Sequence, residues 1–100
     1  MFTGEITMEM LPNPIHIRIE DPKLDFTEAC RRSKEKAREI GSDPMLLSWY
    51  ERRTGRYSPE EATCGKGKPA WITYAESRGA SITIVVNDGE YVFIYYNFFK

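Results

Sequence analysis

Five consecutive residues, Cys64, Gly65, Lys66, Gly67 and Lys68, hold the most concentrated chemistry in this sequence. A thiol and two ammonium groups stand just ahead of Pro69, a residue favoured in the first turn of a helix. Free backbone N–H groups and the helix dipole attract anions at such a start, and the same surroundings favour a thiolate over a thiol. The stretch therefore reads as a candidate site for a small phosphorylated or carboxylated ligand, with Cys64 as a reactive or contacting group. It lacks the Gly-x-x-x-x-Gly-Lys-Ser/Thr spacing of a P-loop. The competing reading is an ordinary solvated turn, which glycine and lysine between two elements also make.

The aromatic residues Trp49, Tyr50, Trp71 and Tyr74 are able to stack a planar ligand, although large aromatics in a small domain more often serve its core. Trp49 and Trp71 join residues 64–68 in the candidate ligand set. His16 and Arg18 complete it, projecting together from the polar side of a strand whose other side carries Ile15, Ile17 and Ile19. A solvated His16 is the alternative. It is the one histidine, far in sequence from Cys64, so no Cys–His catalytic pair is indicated and an enzyme is not the expectation. Arg52, Arg53 and Arg56 surround Thr54-Gly55 as a basic, solvated tip. With two cysteines and no Cys-x-x-Cys pair, neither a metal site nor a cofactor is expected.

Composition narrows the setting. One hundred residues, 41% hydrophobic and 29% charged, suit one domain spanning the whole of 1–100. A formal net charge of −1 supplies no general attraction for nucleic acid, which is not an expected partner. No run approaches the roughly 18 apolar residues of a membrane span, and residues 1–10 carry Glu5 and Glu9 where a signal peptide needs a basic start. The expectation is a cytoplasmic protein with free thiols and no membrane contact.

The elements that must position these groups follow from periodicity. Residues 5–10 and 15–20 each alternate apolar and polar and predict two strands about the Pro12-Asn13-Pro14 turn. Residues 25–41 predict a helix, with Asp25 as cap, Glu28 completing a capping box and Gly41 as a left-handed stop. Its inner stripe is Phe26, Ala29, Cys30, Ser33, Ala37 and Ile40. Pro44 ends any helix, and residues 45–51 predict a buried strand. That strand would complete a parallel βαβ unit with residues 15–20. Residues 52–68 predict an exposed loop. Residues 69–78 favour a helix, because Trp71, Tyr74, Ala75 and Arg78 share a helical face, with a strand as the alternative.

Residues 81–87 and 90–98 flank Asp88-Gly89, the pair preferred in a type I′ hairpin turn. A two-residue loop sets Val86 opposite Tyr91, Ile84 opposite Phe93 and Ile82 opposite Tyr95. Val92, Ile94 and Tyr96 then fall on the other face, so the last strand is apolar on both sides. Such a strand lies centrally in a sheet or against another chain.

The strings Met45-Leu46-Leu47-Ser48-Trp49-Tyr50, Arg53-Thr54-Gly55-Arg56-Tyr57-Ser58-Pro59, Trp71-Ile72-Thr73-Tyr74-Ala75-Glu76-Ser77-Arg78-Gly79 and Asn87-Asp88-Gly89-Glu90-Tyr91-Val92-Phe93-Ile94-Tyr95 resemble a family of small uncharacterised proteins from anaerobic bacteria and archaea. The resemblance covers most of the chain from Asp21 onward and implies a closing helix and hairpin, with no activity attached. The pattern ends near Tyr95, leaving residues 96–100 particular to this chain.

Together these readings predict an α+β fold of order ββαβαββ, a mixed sheet with two helices packed on one face and a C-terminal β-hairpin. The leading functional expectation is a non-enzymatic binding or protein-interaction module. Self-association would use Val92, Ile94, Tyr96 and Phe98, or the free edge of their strand. The alternative is an anionic ligand or thiol chemistry at residues 64–68.

Overall fold

Asp25 starts the first helix as read from the sequence. Its backbone is extended and its carboxylate accepts the Glu28 N–H at 2.9 Å, which satisfies one of the donors a helix start leaves free. Helix α1, Phe26–Ile40, follows. Ala29, Ser33 and Ala37 are fully buried along its inner stripe. Its outer face carries the Arg31–Glu35 and Arg32–Glu28 pairs that i,i+4 spacing predicts. Gly41 corrects an expectation: it is extended (φ −148°, ψ −177°) rather than left-handed, because the chain runs straight from the helix into a strand. The left-handed turn comes two residues later, at Asp43 (φ 50°).

The structure, a computed structural model, describes residues 8–58 and 69–98. Met8–Met10 forms a single helical turn, followed by β1 (Pro14–Ile17), α1, β2 (Ser42–Glu51), β3 (Arg56–Ser58), α2 (Ala70–Ser77), β4 (Ile82–Val86) and β5 (Tyr91–Phe98). Among the described residues, five strands form one mixed sheet in the order β1-β4-β5-β2-β3. Strands β1 and β4 are parallel, and the remaining neighbours are antiparallel.

The α+β class, the mixed sheet, the two helices and the closing hairpin agree with the sequence, while the element order is βαββαββ. Alternation in residues 5–10 does not yield a strand at Met8–Met10, whose turn instead delivers Leu11 to the core; residues 5–7 lie outside the described part. The extra strand is β3, three residues inside the stretch read as a loop, stabilised by pairing with Trp49, Tyr50 and Glu51. Strands β1 and β2 are parallel through their neighbours but not adjacent, since the β4–β5 hairpin lies between them.

The hairpin register is the one the Asp88-Gly89 turn dictates: Val86 opposite Tyr91, Ile84 opposite Phe93, Ile82 opposite Tyr95. Asp88 (φ 57°) and Gly89 (φ 101°) both take the positive φ that a type I′ turn requires. Asn87 adds a second function. Its carboxamide accepts the Ile19 N–H at 2.8 Å and donates to the Ile19 carbonyl at 3.0 Å, continuing the β1–β4 pairing beyond the end of β1. Exchanging Asn87 for glycine keeps the freedom to adopt positive φ but orphans both backbone groups. Urea denaturation should show a loss of about 1–2 kcal/mol, the usual cost of such groups left unpaired in partial burial.

The helices take opposite faces of the sheet, correcting the expectation of both on one. Helix α1 covers Ile82, Ile84, Val86, Tyr91, Phe93 and Tyr95. Helix α2 contributes Trp71, Ile72 and Ala75 to a second core with Leu11, Val85, Val92 and Ile94. The reason is β5 itself: a strand apolar on both sides at the middle of a sheet needs a cover on each.

Candidate functional site

Residues 64–68, the anion or thiol site expected from the sequence, lie outside the described residues. The aromatic groups grouped with them are committed elsewhere. Trp71 is 2% exposed and stacks on Tyr50 with ring centroids 5.3 Å apart and planes 5° apart. Trp49 lies on the other face of the sheet, 4.5 Å from the Phe26 ring of α1. A shared stacking platform is therefore corrected: successive residues of β2 point to opposite faces, so Trp49 joins one core and Tyr50, with Trp71, the other.

His16 is exposed on β1, in register with Val85. Arg18 is exposed too, with its guanidinium 3.9 Å from the Asp88 carboxylate. The shallow surface that these two would share with Thr83, Ile94 and Tyr96 does not form, because Thr83 and Ile94 are fully buried. Arg52 acts as a tie between turns. Its backbone N–H donates to the Glu90 carbonyl at 3.0 Å and its guanidinium to the Asp88 carbonyl at 3.3 Å.

Two of the four residues expected to carry self-association are covered within the chain. Val92 and Ile94 are 0% exposed, covered within the chain by α2. Tyr96 is half-buried, its ring 3.5 Å from where a side chain on Gly79 would begin. Phe98 ends β5 opposite Ser42. Strand β5 has no free edge, since β4 and β2 flank it.

Cys30 belongs to the partly buried margin of the α1 core, where desolvation pushes its thiol pKa up, away from the reactive thiolate. Among the described residues no group of three or more His, Cys, Asp or Glu side chains is placed to hold a metal ion. No helix of the described residues is long and apolar enough to cross a membrane.

What the sequence reading passed over is the outer edge of β2. The described residues of β3 pair with Trp49, Tyr50 and Glu51. From Ser42 to Ser48 no described residue pairs with that edge. Met45 and Leu46, 58% and 37% exposed, are the large hydrophobic side chains left open among the described residues, and they stand side by side there. Pairing with β5 places Met45 opposite Tyr96 and Leu46 opposite Tyr95, so the two project from opposite faces. A bulge follows, with Leu47 and Ser48 together facing Ile94. The signal was present in Met45-Leu46-Leu47, an apolar run too long for one face, but it reads equally as a buried strand.

Residues 12–95 match the family described as a domain of unknown function, DUF5619. An uncharacterized protein of Archaeoglobus fulgidus is 41% identical over 71 residues, which span 71% of this chain and 75% of that one. The crystal structure of AF1514, from the same archaeon, superposes with a TM-score of 0.73 at 31% identity, covering 87% of this chain and 95% of the other. Neither relative's description states an activity, a ligand or a partner.

Proposed function

The chain belongs to the DUF5619 family of unknown function, and on that premise we propose a non-enzymatic protein-interaction module that docks an extended partner segment against Met45 and Leu46 of β2. The observation that carries this reading is the adjacent exposure of Met45 and Leu46 on a strand whose outer backbone groups pair with no described residue. Strand addition draws its affinity from main-chain hydrogen bonds, and pockets for alternate side chains give it selectivity. Here one apolar residue presents on each face, so an extended segment with apolar residues on both sides is the matching chemistry. The burial of Val92 and Ile94 supports looking for the contact on β2 rather than on β5.

The test is a titration of isotope-labelled protein with short peptides of valine, leucine and threonine, followed by NMR. Amide shifts should appear first at residues 43–48. Replacing Met45 with lysine and Leu46 with glutamate should weaken the interaction by about tenfold or more, given the burial lost. Shifts confined to other surfaces, or none, would overturn the reading.

A further inference from the structure

Four aspartates occur in the chain, and only one is followed by an unhindered N–H. Asp21 and Asp43 precede Pro22 and Pro44, whose nitrogens carry no hydrogen. Asp25 precedes the bulky Phe26, and its carboxylate is engaged as the cap of α1, accepting the Glu28 N–H at 2.9 Å. Asp88 precedes Gly89, which has no side chain to shield its nitrogen. We infer that Asp88-Gly89 is a covalent modification site: the aspartate rearranges to isoaspartate when the chain opens, and the folded turn protects it.

The rearrangement needs only water. The Gly89 nitrogen attacks Cγ of the protonated Asp88 carboxyl; the N–Cγ bond forms, a Cγ–O bond breaks, and the nitrogen's proton leaves with that oxygen as water. Water then adds to one carbonyl of the cyclic imide. Breaking the new N–Cγ bond returns aspartate, whereas breaking the original peptide bond leaves the chain running through Cβ and Cγ. No electrons are gained or lost. The Asp88 side chain is 83% exposed, so water reaches it.

The turn blocks the first step by geometry. Ring closure requires the Asp88 side chain and the Gly89 nitrogen to eclipse about the Cα–C bond. Side chain and backbone nitrogen stand a third of a turn apart on the tetrahedral Cα, so at ψ 31° the side chain lies nearly opposite the Gly89 nitrogen. Rotating toward the imide swings the Asp88 carbonyl away from its present position. That breaks the 3.3 Å hydrogen bond the carbonyl accepts from Arg52, and the 3.3 Å bond from the Glu90 N–H to the Asn87 carbonyl that closes the turn. Once formed, isoaspartate adds a main-chain carbon to the loop that sets the β4–β5 register. Strands β4 and β5 lie inside the described sheet and contribute to both cores, so the lesion disturbs both. A chain modified while open is thereby hindered from closing again.

The test incubates the full chain at neutral pH and a raised temperature below its Tm, in buffer and in guanidinium chloride above its unfolding midpoint. Isoaspartate is counted by enzymatic methylation and located by electron-transfer fragmentation. Unfolded chain should accumulate it at residue 88 at least about tenfold faster than folded chain, whose rate scales with its open population. Arg52 is exposed, and Arg52→Ala should raise the folded rate severalfold while leaving the unfolded rate unchanged. Modified chains, separated by chromatography and returned to buffer, should show a lower urea midpoint than unmodified ones. Equal rates in folded and unfolded chain overturn protection by the turn, and an unchanged folded rate in Arg52→Ala overturns the part given to Arg52. No isoaspartate at residue 88 in the unfolded chain, or isoaspartate formed instead at Asn87 with loss of ammonia, overturns the site. An unchanged urea midpoint overturns the structural consequence.

Discussion

Replacing Trp71 with alanine should remove about 3–5 kcal/mol of stability, the usual cost of deleting a buried tryptophan. For a domain of this size that is a large share of a total of roughly 5–15 kcal/mol. It should lower Tm by more than about 10 °C. Helix α2 explains why the residue matters so much. It has eight residues and no side-chain cap at Pro69, and isolated helices shorter than about 12–15 residues are marginal in water. What holds it is the contact of Trp71, Ile72 and Ala75 with Val85, Val92 and Ile94, together with the Trp71–Tyr50 stack. Without the indole ring, two fully buried β5 side chains lose cover. Amide exchange should show α2 opening before α1, and Trp71→Phe should cost well under half as much. An alanine variant with unchanged urea midpoint would mean that Trp71 is no keystone.

Stability should fall steeply above pH 10 because of Tyr95. Its ring is 1% exposed, and its hydroxyl shares a 2.6 Å hydrogen bond with Ser33 of α1. Desolvation raises its pKa far above the ordinary value of 10.0, and the hydrogen bond to Ser33 offsets only part of that. Below about pH 10 the phenol is neutral in both folded and unfolded chains, so its stabilising contribution is fully present. Above that value the unfolded chain loses the proton and the folded chain does not. Each further pH unit then removes about 1.4 kcal/mol, until the raised folded value is reached. Tyr91 is shifted in the same direction, chiefly by burial, so the wild-type slope is not due to Tyr95 alone. Comparison with Tyr95→Phe isolates it. That variant should lose about 1 kcal/mol at neutral pH, since Ser33 keeps its bond to the Cys30 carbonyl at 2.9 Å. It should then close the gap to wild type between pH 10 and 11.5 in paired urea titrations. Parallel curves would refute the assignment.

Local chemistry made some of this structure legible. Asp88-Gly89 admits essentially one tight turn, and a two-residue loop leaves one register, so the whole β4–β5 pairing followed from two residues. The inner stripe of α1 followed in the same way from helical periodicity. Decisions made between elements were less accessible. Whether Val92 and Ile94 are covered by α2 or by another chain depends on where α2 lands, and nothing local to β5 states it. Three residues of β3 carry too little pattern to register as a strand; their partner in β2 makes them one. Gly41 is a fair helix stop by type, yet the direct entry into β2 asks it for extended backbone.

The aromatic pair of the candidate site, Trp49 and Trp71, was separated for a related reason. The sequence reading sought ligand contacts among groups with reactive or aromatic chemistry, and burial committed Trp49 and Trp71 to opposite cores. Met45 and Leu46 carry no such signature. Their exposure is a property of how the elements pack, which composition does not state.

The hairpin set between β1 and β2 also bears on how the domain is built. Strands β4 and β5 come after the other described strands, yet they occupy the second and third places in the sheet. Until they arrive, β1, α1 and β2 hold two strands that have no partner in common. The β2–β3 pair and the β4–β5 hairpin are each local enough to close early. The rate-limiting barrier should therefore include insertion of the preformed hairpin as a wedge between waiting strands. Loop closure of this kind, over long sequence separations, places the domain among slower folders than its helix content alone would suggest.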